Sequence, residues 1–205
     1  THSQDAYRSY IEGIDKLYGH YLEDAERSFQ KTLELDPNFA MAYYWLAKSE
    51  FLKANFQAAK KNIAQAQKFS TNLTQKEKLY INSLEDFYWG SFDKSIKKMQ
   101  EITAQYSEEK EAYLQLGWYF VDRVSKPAEA IRCMKTVIAF DPLCKDAYNI
   151  LAYAYDGIGD FAAPIAAAAF DHAHGKAVQS HVKDMSAAAA EPGGQSAQLV
   201  MMFGQ

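Results

Sequence analysis

Apolar residues recur at helical spacing along most of the chain, and no long run alternates with period two. The stretch from Ala40 to Phe69 shows the pattern best. It predicts two amphipathic helices joined by a turn at Ala54-Asn55, with Tyr43, Leu46, Phe56 and Ile63 as space-filling residues. Ala47, Ala59 and Ala66 sit where the two helices must approach closely. The same reading predicts helices over 5–18, 21–35, 39–53, 56–69, 75–89, 92–106, 109–123, 127–140, 144–158 and 161–171.

Local signals set the boundaries. Asp36-Pro37 and Asp141-Pro142 each end a helix, because proline disfavours helical backbone in the residue before it. Thr74 and Glu77 have capping-box spacing, so a helix begins after Thr74. Gly90-Ser91 turns the chain, with Ser91 as the expected cap of the next helix and Asp160 as that of the last. Gly157-Ile158-Gly159 reads as a helix-ending turn rather than a nucleotide-binding loop.

The punctuation repeats. Ala25, Ala59, Ser95, Ala130 and Pro164 stand 34, 36, 35 and 34 residues apart, and Pro37, Thr71, Ser107 and Pro142 stand 34, 36 and 35 apart. Two helices per period of this length predict a solenoid, since one hairpin cannot bury its apolar face alone.

On these residues the chain resembles the tetratricopeptide repeat family. That family's unit has a large residue at its fourth position, leucine at the seventh and a small residue at the eighth. Its second helix has alanine at the twentieth position, a bulky residue at the twenty-fourth and a small one at the twenty-seventh, with proline near the end. The unit starting at Ala40 matches at Tyr43, Leu46, Ala47, Ala59, Ile63 and Ala66. The unit from Ala6 matches at Gly13, Ala25, Phe29 and Pro37, and the unit from Lys110 at Tyr113, Leu116, Gly117, Ala130, Met134 and Pro142. The unit from Lys76 is looser, with Leu79, Ser83, Ser95 and Met99. A fifth, from Lys145, begins with Tyr148, Leu151 and Ala152 and fails after Phe161, where Pro164, Ala168 and Asp171 replace the second-helix pattern. The resemblance implies an all-α, right-handed solenoid of about five antiparallel helix pairs over residues 1–161, followed by an atypical Ala-rich tail over 162–205.

Composition adds little that conflicts. Of 205 residues 48% are hydrophobic and 14% aromatic, enough for a continuous core. Net charge is −4 without a basic cluster, which argues against nucleic acid as a partner. No apolar run reaches membrane length, so a soluble chain without a membrane partner is expected; its compartment stays open, with the cytoplasm favoured. Thr1 in place of Met reads as the start of a fragment, so a missing signal peptide says little. Cys133 and Cys144 are expected as free, buried or half-buried thiols.

Candidate chemistry is sparse. His172, His174 and His181 with Asp171 lack a rigid scaffold for a metal, and no nucleophile, phosphate loop or cofactor motif is present, so no enzyme activity is expected. The resemblance instead places the second, fifth, ninth, twelfth and thirteenth residues of each unit on a concave groove. The residues it singles out for a partner protein or peptide segment are Tyr10, Tyr44, Lys48, Phe51, Tyr80, Tyr88, Trp118 and Tyr153. Tyrosine and tryptophan suit that task by combining contact area with a polar tip. The competing reading is that these rings pack between neighbouring first helices as core. A carboxylate clamp, with lysine and asparagine at the fifth and ninth positions, is not matched, because Tyr10, Ile14, Tyr44 and Lys48 stand there. Two further expectations are homo-oligomerisation through the apolar run Leu199-Val200-Met201-Met202-Phe203 and, from similarity to repeat regions of bacterial signalling proteins, a regulatory domain of a larger chain.

Overall fold

A computed structural model of the chain describes residue 1 and residues 3–159. These residues form α1 (Gln4–Tyr18), α2 (Leu22–Leu35), α3 (Ala40–Leu52), α4 (Phe56–Lys68), α5 (Gln75–Trp89), α6 (Phe92–Gln105), α7 (Lys110–Asp122), α8 (Pro127–Phe140) and α9 (Lys145–Asp156). There is no strand among the described residues. Every helix predicted before residue 159 is present, with ends shifted by at most two residues. The helix expected over 161–171, the cap Asp160, the histidine cluster and the apolar run 199–203 lie outside the described residues.

Consecutive helices pair as hairpins, α1 with α2, α3 with α4, α5 with α6 and α7 with α8, giving an all-α solenoid. The described helices divide into two compact units, one ending at Ser107 and one beginning at Glu108. In the first, α1, α3 and α5 are neighbours, and in the second α9 packs on both α7 and α8.

Each hairpin closes over a small residue, as the spacing predicts. A Cβ added to Gly13 would lie 2.5 Å from Cε1 of Phe29, a fully buried ring. At Gly117 the same atom would meet Met134 Cε at 2.6 Å and Ile150 Cγ2 at 3.0 Å. Ala47 and Ala59 are fully buried in the second hairpin. In the third, Ser83 and Ser95 take the two small positions, and their buried hydroxyls hydrogen-bond to each other. Beneath these crossings lie Ile63, Met99, Ile102 and Leu79 in the first unit and Met134, Val137, Ile150 and Leu151 in the second.

The capping box at Thr74 forms in full: Glu77 N–H donates to Thr74 Oγ1 (3.3 Å) and Thr74 N–H to Glu77 Oε2 (2.9 Å). Ser91 begins α6 as expected but makes no side-chain capping bond. The helix-ending turn after α9 also stands: Gly157 N–H donates to Tyr153 O (3.0 Å), and Gly159 has φ +72°.

Three hairpin turns use left-handed backbone at a residue other than glycine: His20 (φ 60°), Ala54 (59°) and Ser125 (48°). In the first two, the residue after it donates to a carbonyl five residues back, Tyr21 to Lys16 and Asn55 to Glu50, each at 2.9 Å.

Polar ties fasten one hairpin to the next. Glu26 of α2 is buried and accepts from Ser49 Oγ of α3 (3.3 Å) and from Nζ of Lys53, just past the end of that helix (2.7 Å). The bond to Glu26 holds the Lys53 ammonium above the usual lysine range. Tyr43 donates its hydroxyl to Pro37 O (3.2 Å), and Tyr148 donates to Pro142 O (3.1 Å) in the same relation.

Candidate functional site

The repeat period puts one face of α1, α3 and α5 in register, because residues three, four and seven apart share a helix face. Aromatic residues at these positions meet across the helices. Tyr10 packs at 4.7 Å on Phe39, and its hydroxyl oxygen accepts from Trp45 Nε1 at 3.0 Å. Trp45 meets Tyr18 edge-on at 6.1 Å and Tyr44 at 5.2 Å, and Tyr44 lies 6.0 Å from Tyr80. Phe51 and Tyr88 stack nearly parallel, with centroids 3.4 Å apart and planes 10° off. Lys48 brings a cation to this cluster, its Nζ 4.5 Å from the Trp45 ring centre and 5.8 Å from that of Tyr44.

The expected residues therefore fall at different depths. Tyr44 is 1% exposed and Tyr80 4%, so both rings lie beneath the face. Tyr10, Lys48, Phe51 and Tyr88 are half-buried. At the ends of the same helices, Tyr7 and Leu52 are open to solvent. The reading of these aromatics as core and the reading of them as surface each describe part of the cluster.

Trp45 is not among the expected site residues, although it touches Tyr10, Tyr18, Tyr44 and Lys48. The positional rule assigns the sixth residue of the unit elsewhere, and Trp45 reaches the cluster because a large indole bridges two helices from a flanking position. Its size was the available signal.

In the second unit Trp118 of α7 and Tyr153 of α9 come together, with ring centres 5.5 Å apart at 44°. Trp118 is 43% exposed, while Tyr153 is half-buried and desolvation pushes its phenol above the ordinary range. Glu111, two turns before Trp118 on α7, accepts from Gln115 Nε2 (2.5 Å), and the buried Gln115 in turn accepts from Tyr119 OH (3.2 Å).

The thiols of Cys133 and Cys144 are free, the first half-buried and the second buried. Burial pushes Cys133 up to about 11 and raises Cys144 as well, so neither is a thiolate at neutral pH. No group of three or more His, Cys, Asp or Glu is placed to hold a metal among the described residues. No helix of the described residues is long and apolar enough to cross a membrane. A cleft of about 220 Å³ between α1 and α2 is lined by Asp5, Arg8, Glu12 and Lys31, away from the aromatic face.

Residues 12–67 match the family profile described as tetratricopeptide repeat. No curated protein matches the chain. Among solved structures, TTC0263, a thermophilic tetratricopeptide repeat protein of Thermus thermophilus, is similar with a TM-score of 0.63 at 16% identity, over 89% of this chain and 98% of that one. The Cut9 and Hcn1 assembly of the APC/C gives 0.55 at 18% identity, over 88% of this chain and 36% of that one. YrrB, described as a tetratricopeptide repeat protein with an unusual peptide-binding site, gives 0.50 at 20% identity, over 88% and 92%. Residues 12–67 are thus tetratricopeptide repeat sequence, and the described helix hairpins have the tetratricopeptide repeat fold.

Proposed function

We propose that the chain is a non-catalytic scaffold, each of whose two units holds a segment of a partner protein against the first-helix faces of its own hairpins. In the first unit Lys48, Phe51, Tyr88 and Tyr10 make contact, with Tyr44 and Tyr80 supporting them from below. In the second unit Trp118 and Tyr153 make contact. The observation that carries this reading is the chain of contacts in which Trp45 hydrogen-bonds to Tyr10 and packs on Tyr44, and Tyr44 on Tyr80, overlaid by Lys48. Preformed aromatic surface binds at low entropic cost, because rigid rings lose little freedom on contact. The same fold in YrrB is described with a peptide-binding site, which supports the class of function but not the ligand.

A displayed peptide library selected on the full chain tests the reading. Lys48→Glu and Phe51→Ala should each weaken the selected peptides by about tenfold. Lys60→Glu with Lys61→Glu, both exposed on the second helix α4, should leave binding unchanged. Equal loss from both sets, or loss from the α4 set alone, removes the assignment.

A further inference from the structure

The second unit carries a face whose chemistry differs from that of the first. Trp118 and Tyr153 form its aromatic centre, and Trp118 leaves two fifths of its surface in water. Carboxylates flank the pair along both helices. On α7, Glu111 lies seven residues before Trp118 and Asp122 four after it. On α9, Asp146 lies seven before Tyr153 and Asp156 three after it. Helical periodicity brings each of these onto the face of its ring. Asn149, exposed between Asp146 and Tyr153, adds a neutral donor and acceptor. Cations also stand near this face: Arg123, whose Nε lies 2.6 Å from Asp122, Lys145 at the start of α9, and Lys110, which feels the Asp146 carboxylate. Lys110 is turned to Asp141, with Nζ 2.9 Å from its carboxylate.

One of the carboxylates is held in place from within. Tyr119 donates to Gln115, Gln115 donates to Glu111, and both Tyr119 and Gln115 are buried. A side chain fixed by a buried relay loses little freedom when it meets a ligand. In the first unit, by contrast, the aromatic face carries the cation Lys48.

We propose that the Trp118–Tyr153 face takes a basic segment of a partner protein, seating a lysine or arginine side chain over the indole with the surrounding carboxylates drawing its charge. This rests on the reading of the chain as a peptide-binding scaffold and specifies the partner for one of its units. An exposed indole ring attracts a cation through its quadrupole, and carboxylates around it add attraction that salt screens. The same charges repel acidic segments and nucleic acid.

Calorimetry on the full chain tests the proposal with three synthetic peptides of equal length, alternating alanine with lysine, glutamine or glutamate. The lysine peptide should bind at least about tenfold more tightly than the glutamine peptide, and the glutamate peptide weakest. Trp118→Leu keeps an apolar side chain but removes the π face, and should weaken the lysine peptide by about five- to tenfold. Asp146→Asn with Asp156→Asn should do the same and flatten the salt dependence. Glutamine or glutamate binding as tightly as lysine overturns the basic-segment assignment while leaving the scaffold reading intact. Lysine binding unaffected by either variant places the contact elsewhere and overturns it too. No binding by any of the three also overturns it, and the library selection on the Lys48 and Phe51 variants then judges the scaffold reading separately.

Discussion

Ser83 and Ser95 face each other across the crossing of α5 and α6 with their hydroxyl oxygens 2.8 Å apart, both fully buried. The corresponding sites of the second hairpin hold Ala47 and Ala59, which pack without polar atoms. A buried hydroxyl that loses its partner pays a desolvation cost, whereas removing both hydroxyls leaves nothing unsatisfied. Ser83→Ala has a milder effect than that rule suggests only if Ser95 finds another acceptor. Ser83 Oγ also lies 3.2 Å from the Ser95 carbonyl oxygen and keeps that acceptor when Ser95 is replaced, so we expect Ser83→Ala to lose about 1–2 kcal/mol, Ser95→Ala less, and the double variant to recover most of the Ser83→Ala loss. Urea unfolding of the four proteins measures the coupling, and strictly additive losses would show that the bond contributes nothing.

Gly13→Ala and Gly117→Ala probe the same close approach with different neighbours. The new methyl group at Gly13 meets Phe29 at 2.5, 2.7 and 2.9 Å, and that ring is fully buried with nowhere to move. At Gly117 the closest atom is the flexible end of Met134. Gly13→Ala should therefore cost about 2–3 kcal/mol and Gly117→Ala about 1 kcal/mol less, despite the gain in helix propensity. Thermal melts that rank the two in the opposite order contradict this packing argument.

Ala54 carries a side chain in left-handed backbone, a conformation that disfavours Cβ by about 1–2 kcal/mol. Ala54→Gly removes that steric term but loosens the unfolded chain, so a net gain of about 0.5–1 kcal/mol is expected. A lowered melting temperature would show that the Ala54 methyl group makes compensating contacts.

The Lys110–Asp141 pair gives a pH signature. The Lys110 bond holds the Asp141 carboxyl below the ordinary carboxylate range, and the Asp141 bond raises Lys110. A depressed carboxylate contributes above its unfolded pKa and loses that contribution as pH falls through the folded value. A raised lysine contributes below its unfolded pKa and loses it as pH rises through the folded one. Both side chains are partly exposed, so the pair is worth less than about 1 kcal/mol at neutral pH. Wild type and Lys110→Gln, compared by urea midpoint, should converge as pH drops below about 4. A gap that persists in acid would assign the difference to packing rather than charge.

Helix placement was readable because several signals agreed: Asp-Pro stops, the Thr74–Glu77 box and the recurrence of small residues at Ala25, Ala59, Ser95 and Ala130. The depth of the aromatic residues was less so. Tyr44 and Tyr80 occupy positions equivalent to Tyr10, yet are far more buried, because depth depends on which rings arrive from the adjoining helices. Trp45 escaped notice for a related reason. The turn at Ala54-Asn55 was readable, but no glycine marked the left-handed backbone at His20, Ala54 and Ser125. Ser91 shows that a capping residue at the right position need not form its bond.

The tyrosine hydroxyls that reach Pro37 and Pro142 have a consequence for anyone rearranging this chain. Each ties the first helix of one repeat to the linker that closes the previous one. The transplantable module therefore starts ahead of Asp36 or Asp141, not at the helix that follows. A shuffled array cut after the proline would discard the fastening that sets one hairpin against the next, even though every helix in it remained whole.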